Sequence, residues 1–276
     1  MGRFFYAFRP PPANASLRGV KLARPKKADF LARPRFGTWI TIPHNSVAEI
    51  AVRAGFEWAT VDLEHSSIGI DACADLIRTI DLAGASPFVR VGSHDANVIK
   101  RVMDAGAHGL IASTVNTPGQ AAAIVAAVKY PPVGTRGVGL SRAQGYKDEF
   151  EEHYKWLNAE SMVFVQIEHI DAVRNLEAIL RTPGVDGFFV GPYDLSASLG
   201  IPGGFDHPKM REALDEIARV RALVPASVPG CHVVDTDPEE ARTRLREGYR
   251  FIAYGIDFLF LKNKAREGLA MITACE

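Results

Sequence analysis

Cysteine is scarce in this chain: Cys73, Cys231 and Cys275 are the three among 276 residues. Their number and spacing exclude a disulfide framework and a zinc site built from cysteine pairs, so we expect a reducing, cytoplasmic setting. The formal net charge is zero, so nothing in the total charge favours nucleic acid or an anionic membrane as a partner. The sequence has no apolar run that approaches the roughly 20 residues of a transmembrane helix.

Acidic residues are also scarce near the start of the chain. Between Arg3 and Arg33 basic residues recur, Asp29 is the one acid, and three consecutive prolines interrupt any periodicity. A signal or transit peptide is one reading, but the apolar run FFYAF is shorter than a usual signal core and no clear cleavage site follows. We therefore expect a basic, disordered extension over residues 1–34 and one folded domain over residues 35–276.

Short apolar runs alternate with amphipathic segments from residue 35 onward. Such alternation predicts parallel strands covered by helices. Eight units over about 240 residues favour a single (β/α)₈ TIM barrel of the α/β class. A doubly wound sheet is the alternative, but no G-x-G-x-x-G motif opens a helix after the first strand. The predicted strands are RFGTWITI, WATVD, SPFVRV, HGLIAS, MVFVQIE, GFFVG, SVPGCHVV and FIAYG.

Polar residues stand where these apolar runs end. Because parallel barrel strands direct their carboxyl ends to one face, we expect these residues to share one rim. Barrel enzymes place their chemistry at that rim. The residues, in chain order, are Asp62, Glu64, His65, Arg90, Gln166, Glu168, Asp194 and His232.

Glu168 and Asp194 are the most informative pair. Gln166 and Glu168 lie two apart on one strand and so point to the same side, while Asp194 follows the next strand. Two carboxylates brought close would repel each other, and a divalent cation resolves that conflict. Two acids with water molecules commonly hold Mg²⁺ or Mn²⁺. The alternative is that each acid forms an ion pair on the rim; for the pair on neighbouring strands we favour the metal site.

Arg90 and His65 are candidates for handling negative charge and protons. A guanidinium at the end of an apolar strand must find an anion, and its geometry suits a carboxylate or a developing oxyanion. A structural ion pair of Arg90 with Glu168 or Asp62 is the alternative. His65 lies three residues after Asp62, and a histidine near a carboxylate can carry a proton at neutral pH, although a lone histidine is more often inert.

Several motifs occur together and in order: DLEHS, FVRV with IKRVMDAG downstream, YPPVGTRGVG, VQIEH and VGPYDLSASLG. From about Gly37 to Asp257 the chain resembles the HpcH/HpaI aldolase family, the class II pyruvate-dependent aldolases typified by 4-hydroxy-2-oxoheptanedioate aldolase. The resemblance implies a TIM barrel that assembles as a hexamer. It also implies reversible cleavage of a 4-hydroxy-2-keto acid to pyruvate and an aldehyde, through a metal-bound pyruvate enolate.

The same resemblance implies roles for individual residues. Glu168 and Asp194 would hold a divalent cation, Mg²⁺, Mn²⁺ or Co²⁺, which pyruvate would chelate. Arg90 matches the arginine that stabilises the enolate oxygen. His65 matches the residue linked to proton transfer, and Asp62 also matches a site position.

Further positions match residues around the substrate. Asp104, in RVMDAG, matches an aspartate that reaches the histidine of a neighbouring subunit. The backbone amides of Gly191 and Tyr193 would help to seat the pyruvate carboxylate. Gln166 would support the site, and Arg136 would lie on a loop that borders it.

Two departures from the family pattern stand out. His232 occupies a position where better-known members carry an aliphatic residue beside the aldehyde pocket, and imidazole there would favour a hydroxylated aldehyde. We therefore expect a substrate of the 2-keto-3-deoxy sugar acid type. STVNT replaces the more usual MVET after the fourth strand, a change that we do not expect to reach the metal.

Other functions fit the same residues. Oxaloacetate decarboxylation, or carbon–carbon bond formation as in macrophomate synthase, would use the same arginine and metal. A CoA-ester lyase like citrate lyase β is less favoured, because no CoA-binding signature is evident. A non-catalytic barrel used for binding or assembly is an alternative of another class. The presence of Asp62, His65, Arg90, Glu168 and Asp194 argues against it.

Overall fold

Eight parallel strands close into a barrel in the order of the sequence. The computed structural model describes Leu22 and residues 24–274. The first strand pairs with both the second and the eighth, so the sheet has no free edge. The predicted TIM barrel is confirmed, and each predicted strand is present. The strands are β1 Arg35–Ile40, β2 Trp58–Asp62, β3 Ser86–Val91, β4 Gly109–Ala112, β5 Met162–Ile167, β6 Gly187–Val190, β7 Val228–Val233 and β8 Phe251–Ile256.

Helices cover the outside of the barrel between the strands. Local sequence starts and ends them: Asp95 accepts a hydrogen bond from the Asn97 amide at the start of α4, and Gly106 ends that helix in the left-handed conformation. Among the described residues, none of the helices could span a bilayer. The helices are α1 Lys27–Leu31, α2 Asn45–Arg53, α3 Ile70–Leu82, α4 Ala96–Ala105, α5 Pro118–Val128, α6 Phe150–Glu160, α7 Ile170–Arg174, α8 Leu176–Leu180, α9 Pro192–Ser198, α10 Pro208–Leu223, α11 Pro238–Arg246 and α12 Asp257–Thr273.

Large rings fill the barrel interior because glycines on neighbouring strands leave room for them. Gly37 lies directly opposite Trp58 in the β1–β2 pairing, and a Cβ at Gly37 would lie 2.0 Å from a carbon of the indole. The same relation holds on three more strand pairs, where the added Cβ would lie 2.5–2.8 Å from a ring carbon. These pairs are Gly109 with Phe88, Gly187 with Phe164, and Gly230 with Phe189.

Alternation along each strand separates the interior from the helix layer. On β3 the buried side chains of Phe88 and Arg90 lie two residues apart on one face, while Val89 and Val91 belong to the core between the strands and the helices. A strand can therefore contribute a ring to the packed lower interior and a charged group to the carboxyl-terminal rim.

The amino-terminal end of the barrel is closed by α1. Phe30 is 4% exposed and its ring centroid lies 6.0 Å from that of Phe88 and 6.1 Å from that of Phe251. Lys27 Nζ binds Asp186 Oδ1 at 2.7 Å, which holds the short helix against the barrel. The folded part thus begins before the expected boundary at residue 35: residues 24–34 pack on the barrel because one apolar ring and several ion pairs anchor them. The rest of the expected extension, residues 1–21 and 23, lies outside the described residues.

Candidate active site

A cavity of about 270 Å³ opens at the carboxyl ends of the strands. Trp39, Phe189 and Ile256 form part of its apolar wall. Most of the polar residues that the sequence predicts for the site line it, so the expected shared rim is present. They are Asp62, His65, Arg90, Gln166, Gly191, Tyr193, Asp194 and His232.

Arg90 is fixed at the floor of this cavity by two carboxylates. Its Nε donates to Asp62 Oδ1 at 2.9 Å and its Nη2 to Asp62 Oδ2 at 2.5 Å, while Nη1 lies 3.1 Å from Glu64 Oε2. Burial raises the pKa of Asp62, but the Arg90 guanidinium and two backbone amides outweigh it and lower the pKa below its ordinary value. Of the two ion pairs considered from sequence, the structure contains the one with Asp62.

Glu168 lies beside the cavity with both carboxylate oxygens held by protein donors. Gln166 Nε2 donates to Oε2 at 2.6 Å, and the Thr114 amide and hydroxyl donate to Oε1 at 2.5 and 2.8 Å. The start of α9 approaches the same carboxylate closely: a Cβ at Gly191 would lie 2.9 Å from Glu168 Oε2. Only glycine leaves this space free.

Negative charge accumulates around Glu168: Glu64 is paired with Arg90, but neither Glu168 nor Asp194 has an ion-pair partner among the described residues. Burial raises the pKa of Glu168; bonds from Thr114 oppose this, and the charges of Glu64 and Asp194 add to it, so the pKa stays above its ordinary value. Asp194 is exposed on the first turn of α9 and has no hydrogen bond or ion pair through its side chain among the described residues. The two acids therefore influence each other across the cavity edge.

This donor set fits a divalent cation. Within the described part of the chain, no group of three or more His, Cys, Asp and Glu side chains is arranged to hold a metal ion. Mg²⁺ and Mn²⁺ are nevertheless commonly held by one or two protein carboxylates, with water or substrate oxygens completing the shell. Asp194 lines the cavity and Glu168 lies beside it, and neither has an ion-pair partner in the described part of the chain, so their chemistry fits such a pair.

Sequence reasoning missed two residues near Glu168. Ser113 Oγ donates to Glu64 Oε2 at 2.6 Å, and Thr114 binds Glu168 directly. Both belong to the STVNT segment, which reaches Glu168 because β4 lies beside β5. Glu64, which the sequence places on the rim after the second strand, is the acid that Ser113 contacts.

His232 forms part of the cavity wall. Its ring stacks on Trp39 with centroids 4.4 Å apart, and Nε2 lies 3.2 Å from the Gly255 carbonyl oxygen. Since a carbonyl accepts, Nε2 carries the proton and Nδ1 is the acceptor. Burial lowers the pKa of His232 to about 4, so the ring is neutral at physiological pH.

His65 also lines the cavity and is the more exposed of its two histidines. Its imidazole is 66% exposed and Nε2 is 3.8 Å from Glu64 Oε2. The His65 amide donates to Asp62 Oδ1 at 3.3 Å, which holds the backbone at the end of β2. An exposed ring at the rim suits a group that exchanges protons with the substrate and with solvent.

The two amides expected to seat a carboxylate differ in the structure. The Gly191 N–H donates to the Ile167 carbonyl at 3.0 Å and so is already used. Tyr193 is in the first turn of α9, where amides lack partners within the helix. Of the pair, the Tyr193 amide is the one that helix geometry leaves available.

Asp104 and Arg136 do not line the cavity of this chain. They pair with each other: Arg136 Nη2 donates to Asp104 Oδ1, and the guanidinium carbon lies 4.7 Å from the Tyr130 ring centroid. The Arg136 side chain is fully buried against Asp104 of α4, and its expected place on a loop that borders the site stays a prediction. Asp104 was expected to act on a neighbouring subunit, and its position away from its own His65 leaves that expectation a prediction.

Known proteins share this fold and sequence pattern. A 2-keto-3-deoxy-L-rhamnonate aldolase of Klebsiella pneumoniae is 34% identical over 253 residues, which cover 91% of this chain and 93% of the relative. A hydroxypyruvate/pyruvate aldolase of Sagittula stellata is 38% identical over 84% of this chain and 90% of its own.

A solved structure and a family model point to the same family as these relatives. The crystal structure of an HpcH/HpaI aldolase/citrate lyase family protein from Burkholderia cenocepacia J2315 matches with a TM-score of 0.81 and 32% identity, covering 87% of this chain and 95% of that one. The model of the HpcH/HpaI aldolase/citrate lyase family matches residues 35–263. With its barrel, its rim residues and these likenesses, the chain belongs to the HpcH/HpaI aldolase/citrate lyase family.

Proposed function

We propose that this protein is a metal-dependent class II aldolase that reversibly cleaves a 4-hydroxy-2-keto acid to pyruvate and an aldehyde. The observation that supports the proposal is that Asp194 and the buried Arg90 line one cavity at the barrel rim, with Glu168 beside it and close enough to feel the charge of Asp194. The carbon–carbon lyase class agrees with the named aldolases that share a third or more of their residues with this chain.

Arg90 is placed to stabilise the charge that cleavage creates. When the C3–C4 bond breaks, its electron pair moves to C3 and delocalises onto the C2 oxygen of the pyruvate enolate. Asp62 and Glu64 hold the guanidinium in one orientation, so it needs no rearrangement when that charge develops. A divalent cation held by Glu168 and Asp194 would supply Lewis-acid stabilisation of the same negative charge.

A proton must leave the 4-hydroxyl group as the aldehyde forms. His65 is the candidate, since its ring lines the cavity, is exposed and lies near the Glu64 carboxylate. The proton that it takes up can be returned to C3, which completes pyruvate and restores the histidine. Lysine is not needed for a Schiff base, and the cavity has no lysine among its described lining residues.

The aldehyde half of the substrate would contact His232. This ring is neutral and presents Nδ1 as an acceptor, so a hydroxyl group of the aldehyde can donate to it. A 2-keto-3-deoxy sugar acid has such hydroxyls, and one relative carries the name 2-keto-3-deoxy-L-rhamnonate aldolase. We infer a substrate of this class.

The assembly and setting of the enzyme belong to the same proposal. We infer a homo-oligomer, a hexamer of paired subunits, in a cytoplasmic compartment. Large apolar side chains are exposed on α12, among them Leu261, Leu269 and Ile272, and association would cover them. Cys73 and Cys231 are free thiols, as a reducing compartment would keep them.

Pyruvate release tests the proposed reaction. The purified protein is incubated with a panel of 4-hydroxy-2-keto acids, with EDTA or with added Mg²⁺, Mn²⁺ or Co²⁺. We expect EDTA to abolish cleavage and a divalent ion to restore it. Glu168→Gln and Asp194→Asn should each lower activity by at least about 100-fold, because removal of a ligand weakens the cation site.

The matched control is Asp215→Asn, which changes an exposed acid on α10 and should leave turnover unchanged. Cleavage that persists fully in EDTA, or full activity in both ligand variants, contradicts the proposed mechanism. A strong preference for unsubstituted aldehydes in the reverse reaction contradicts the sugar-acid substrate class alone.

A further inference from the structure

Thr114 binds one oxygen of Glu168 twice. It follows β4 directly, and both its amide and its hydroxyl donate to Glu168 Oε1, at 2.5 and 2.8 Å. Glu168 is 6% exposed and follows β5, the strand paired with β4. Two donors from one residue on one carboxylate oxygen restrict the rotation of that carboxylate.

The backbone of Thr114 is in an uncommon conformation. Its φ is +55°, in the left-handed region that a β-branched residue rarely adopts. Such conformations persist where surrounding contacts impose them, and they concentrate at functional sites. The contacts that impose it here are those with Glu168, since the left-handed turn directs the amide to the same oxygen as the hydroxyl.

The second oxygen of Glu168 is oriented by this arrangement. Oε2 accepts one bond from Gln166 Nε2 at 2.6 Å and lies so close to Gly191 that a Cβ there would be 2.9 Å from it. Gly191 precedes α9, and Asp194 stands on the first turn of that helix. With Oε1 held by Thr114, Oε2 lies beside the start of the helix that carries Asp194.

We propose that the Thr114 hydroxyl is a positioning group that fixes the Glu168 carboxylate for cation binding with Asp194. This inference rests on the proposed role of Glu168 as a metal ligand. Thr114 itself does not touch the cation or the substrate; it acts through Glu168. Outer groups of this kind, which hydrogen-bond a ligating carboxylate, typically contribute 10- to 100-fold to metal affinity.

The hydroxyl of the preceding residue, Ser113, binds a different carboxylate. The role of Ser113 is therefore distinct from that of Thr114. Ser113 Oγ donates to Glu64 Oε2 at 2.6 Å, and Glu64 in turn lies 3.1 Å from Arg90 Nη1. Ser113 therefore supports the arginine side of the site, while Thr114 supports the cation side. Two adjacent residues thus contact two different acids: Ser113 contacts Glu64, which pairs with Arg90, and Thr114 contacts Glu168.

Mn²⁺ binding without substrate tests this role. Isothermal titration calorimetry is performed on the wild type, Thr114→Val, Thr114→Ala and Thr114→Ser, together with thermal unfolding in EDTA. We expect the Kd for Mn²⁺ to rise roughly 10-fold in Thr114→Val and Thr114→Ala, which lack the hydroxyl, and to stay within about twofold in Thr114→Ser. Using two variants without the hydroxyl protects the test if one of them fails to fold.

A matched control is available on β2. Thr60 Oγ1 is buried and has no hydrogen-bond partner among the described residues, so Thr60→Val removes a buried hydroxyl from the barrel without breaking such a bond. We expect Thr60→Val to bind Mn²⁺ like the wild type.

Two results would overturn the inference in different ways. Wild-type Kd values in Thr114→Val and Thr114→Ala, with only the unfolding temperature lowered, would show that Thr114 is merely structural and would leave the proposed function intact. A wild type that binds no Mn²⁺ would reject Glu168 as a metal ligand and the inference with it.

Discussion

The two ends of the barrel interior are built from the same strands and differ in almost every physical property. At the amino-terminal end, aromatic rings stack in direct contact: the centroids of Trp58 and Phe251 are 3.9 Å apart and those of Phe164 and Phe251 are 4.2 Å apart. At the carboxyl-terminal end, Asp62, Arg90 and other polar groups surround a cavity. One end is close-packed and apolar, and the other is charged and open.

Residues that stabilise the fold and residues that line the cavity lie very close together along the same strands. Phe88 and Arg90 are two residues apart on β3, and Phe164 and Gln166 are two apart on β5. In each case the ring belongs to the aromatic interior and the polar group to the cavity. We therefore expect substitutions at one end to change turnover and at the other to change the free energy of unfolding.

The largest expected effect is on turnover, from Arg90→Ala. Removing a preorganised donor to a developing oxyanion costs about 10²- to 10³-fold in kcat, or about 3 to 4 kcal/mol of transition-state stabilisation. Mn²⁺ binding should persist, since Glu168 and Asp194 remain. Steady-state kinetics and calorimetry on the same preparation check both statements.

Arg90→Lys and Arg219→Ala are the controls for this prediction. The lysine keeps a positive charge beside Asp62, which would otherwise be buried without a partner, and Arg219 forms an exposed ion pair on α10 that should not affect kcat. Normal turnover in Arg90→Ala would show that its assigned role is wrong.

The next effect should appear at the opposite end, from Phe30→Ala. Loss of this buried ring, which closes the aromatic interior, should lower the free energy of unfolding by about 3 kcal/mol while kcat at 25 °C stays unchanged. Urea unfolding monitored by fluorescence measures the first quantity. Leu82→Ala, at a position 64% exposed on α3, should change stability by less than about 0.5 kcal/mol. A large loss of kcat in folded Phe30→Ala would break the separation of the two ends.

A smaller effect should come from pH, through His232. Burial lowers the pKa of its imidazole to about 4, against 6.5 in the unfolded chain. Between these values the unfolded state binds a proton that the folded state does not, so stability falls as pH falls from 6.5 to 4. His232→Asn removes this contribution. Between pH 6.5 and 4 its free energy of unfolding should therefore fall by roughly 2 kcal/mol less than that of the wild type.

Unfolding free energies of both proteins at several pH values measure the difference. His108 and His153, whose pKa values burial lowers to about 3, contribute the same background in both proteins. If the free energies of unfolding of the wild type and His232→Asn changed with pH in the same way, burial in the cavity wall would not lower the pKa of His232.

Much of the fold was predictable from sequence, because each barrel strand carries its own signal. Apolar runs bounded by glycine and by helix caps marked all eight strands, and the polar residues at the ends of five of these runs marked the rim. The order of the strands followed from the alternation of eight strands with helices, because such a series predicts a barrel with its strands in chain order. Arg90 and Asp62 were each identified as rim residues, but sequence left open whether they paired.

What sequence could not give depends on contacts between distant segments. Phe30 lies in a short helix of five residues, and its burial depends on rings from β3 and β8. The contact of Thr114 with Glu168 depends on the register of β4 against β5, and the use of the Gly191 amide depends on the approach of α9 to Ile167. A local sequence pattern does not contain information on such contacts between distant segments.

The glycines that face large rings inside the barrel limit how its sequence can change over time. At position 37 any side chain would occupy the space of the Trp58 indole, whereas at positions 109, 187 and 230 a side chain would meet both a ring and a backbone carbonyl oxygen. A larger residue at position 37 is therefore tolerated only with a smaller one at position 58, while the other three positions stay glycine. Among homologues, positions 37 and 58 should covary, with bulk exchanged between the two strands while the total volume of the lining is conserved.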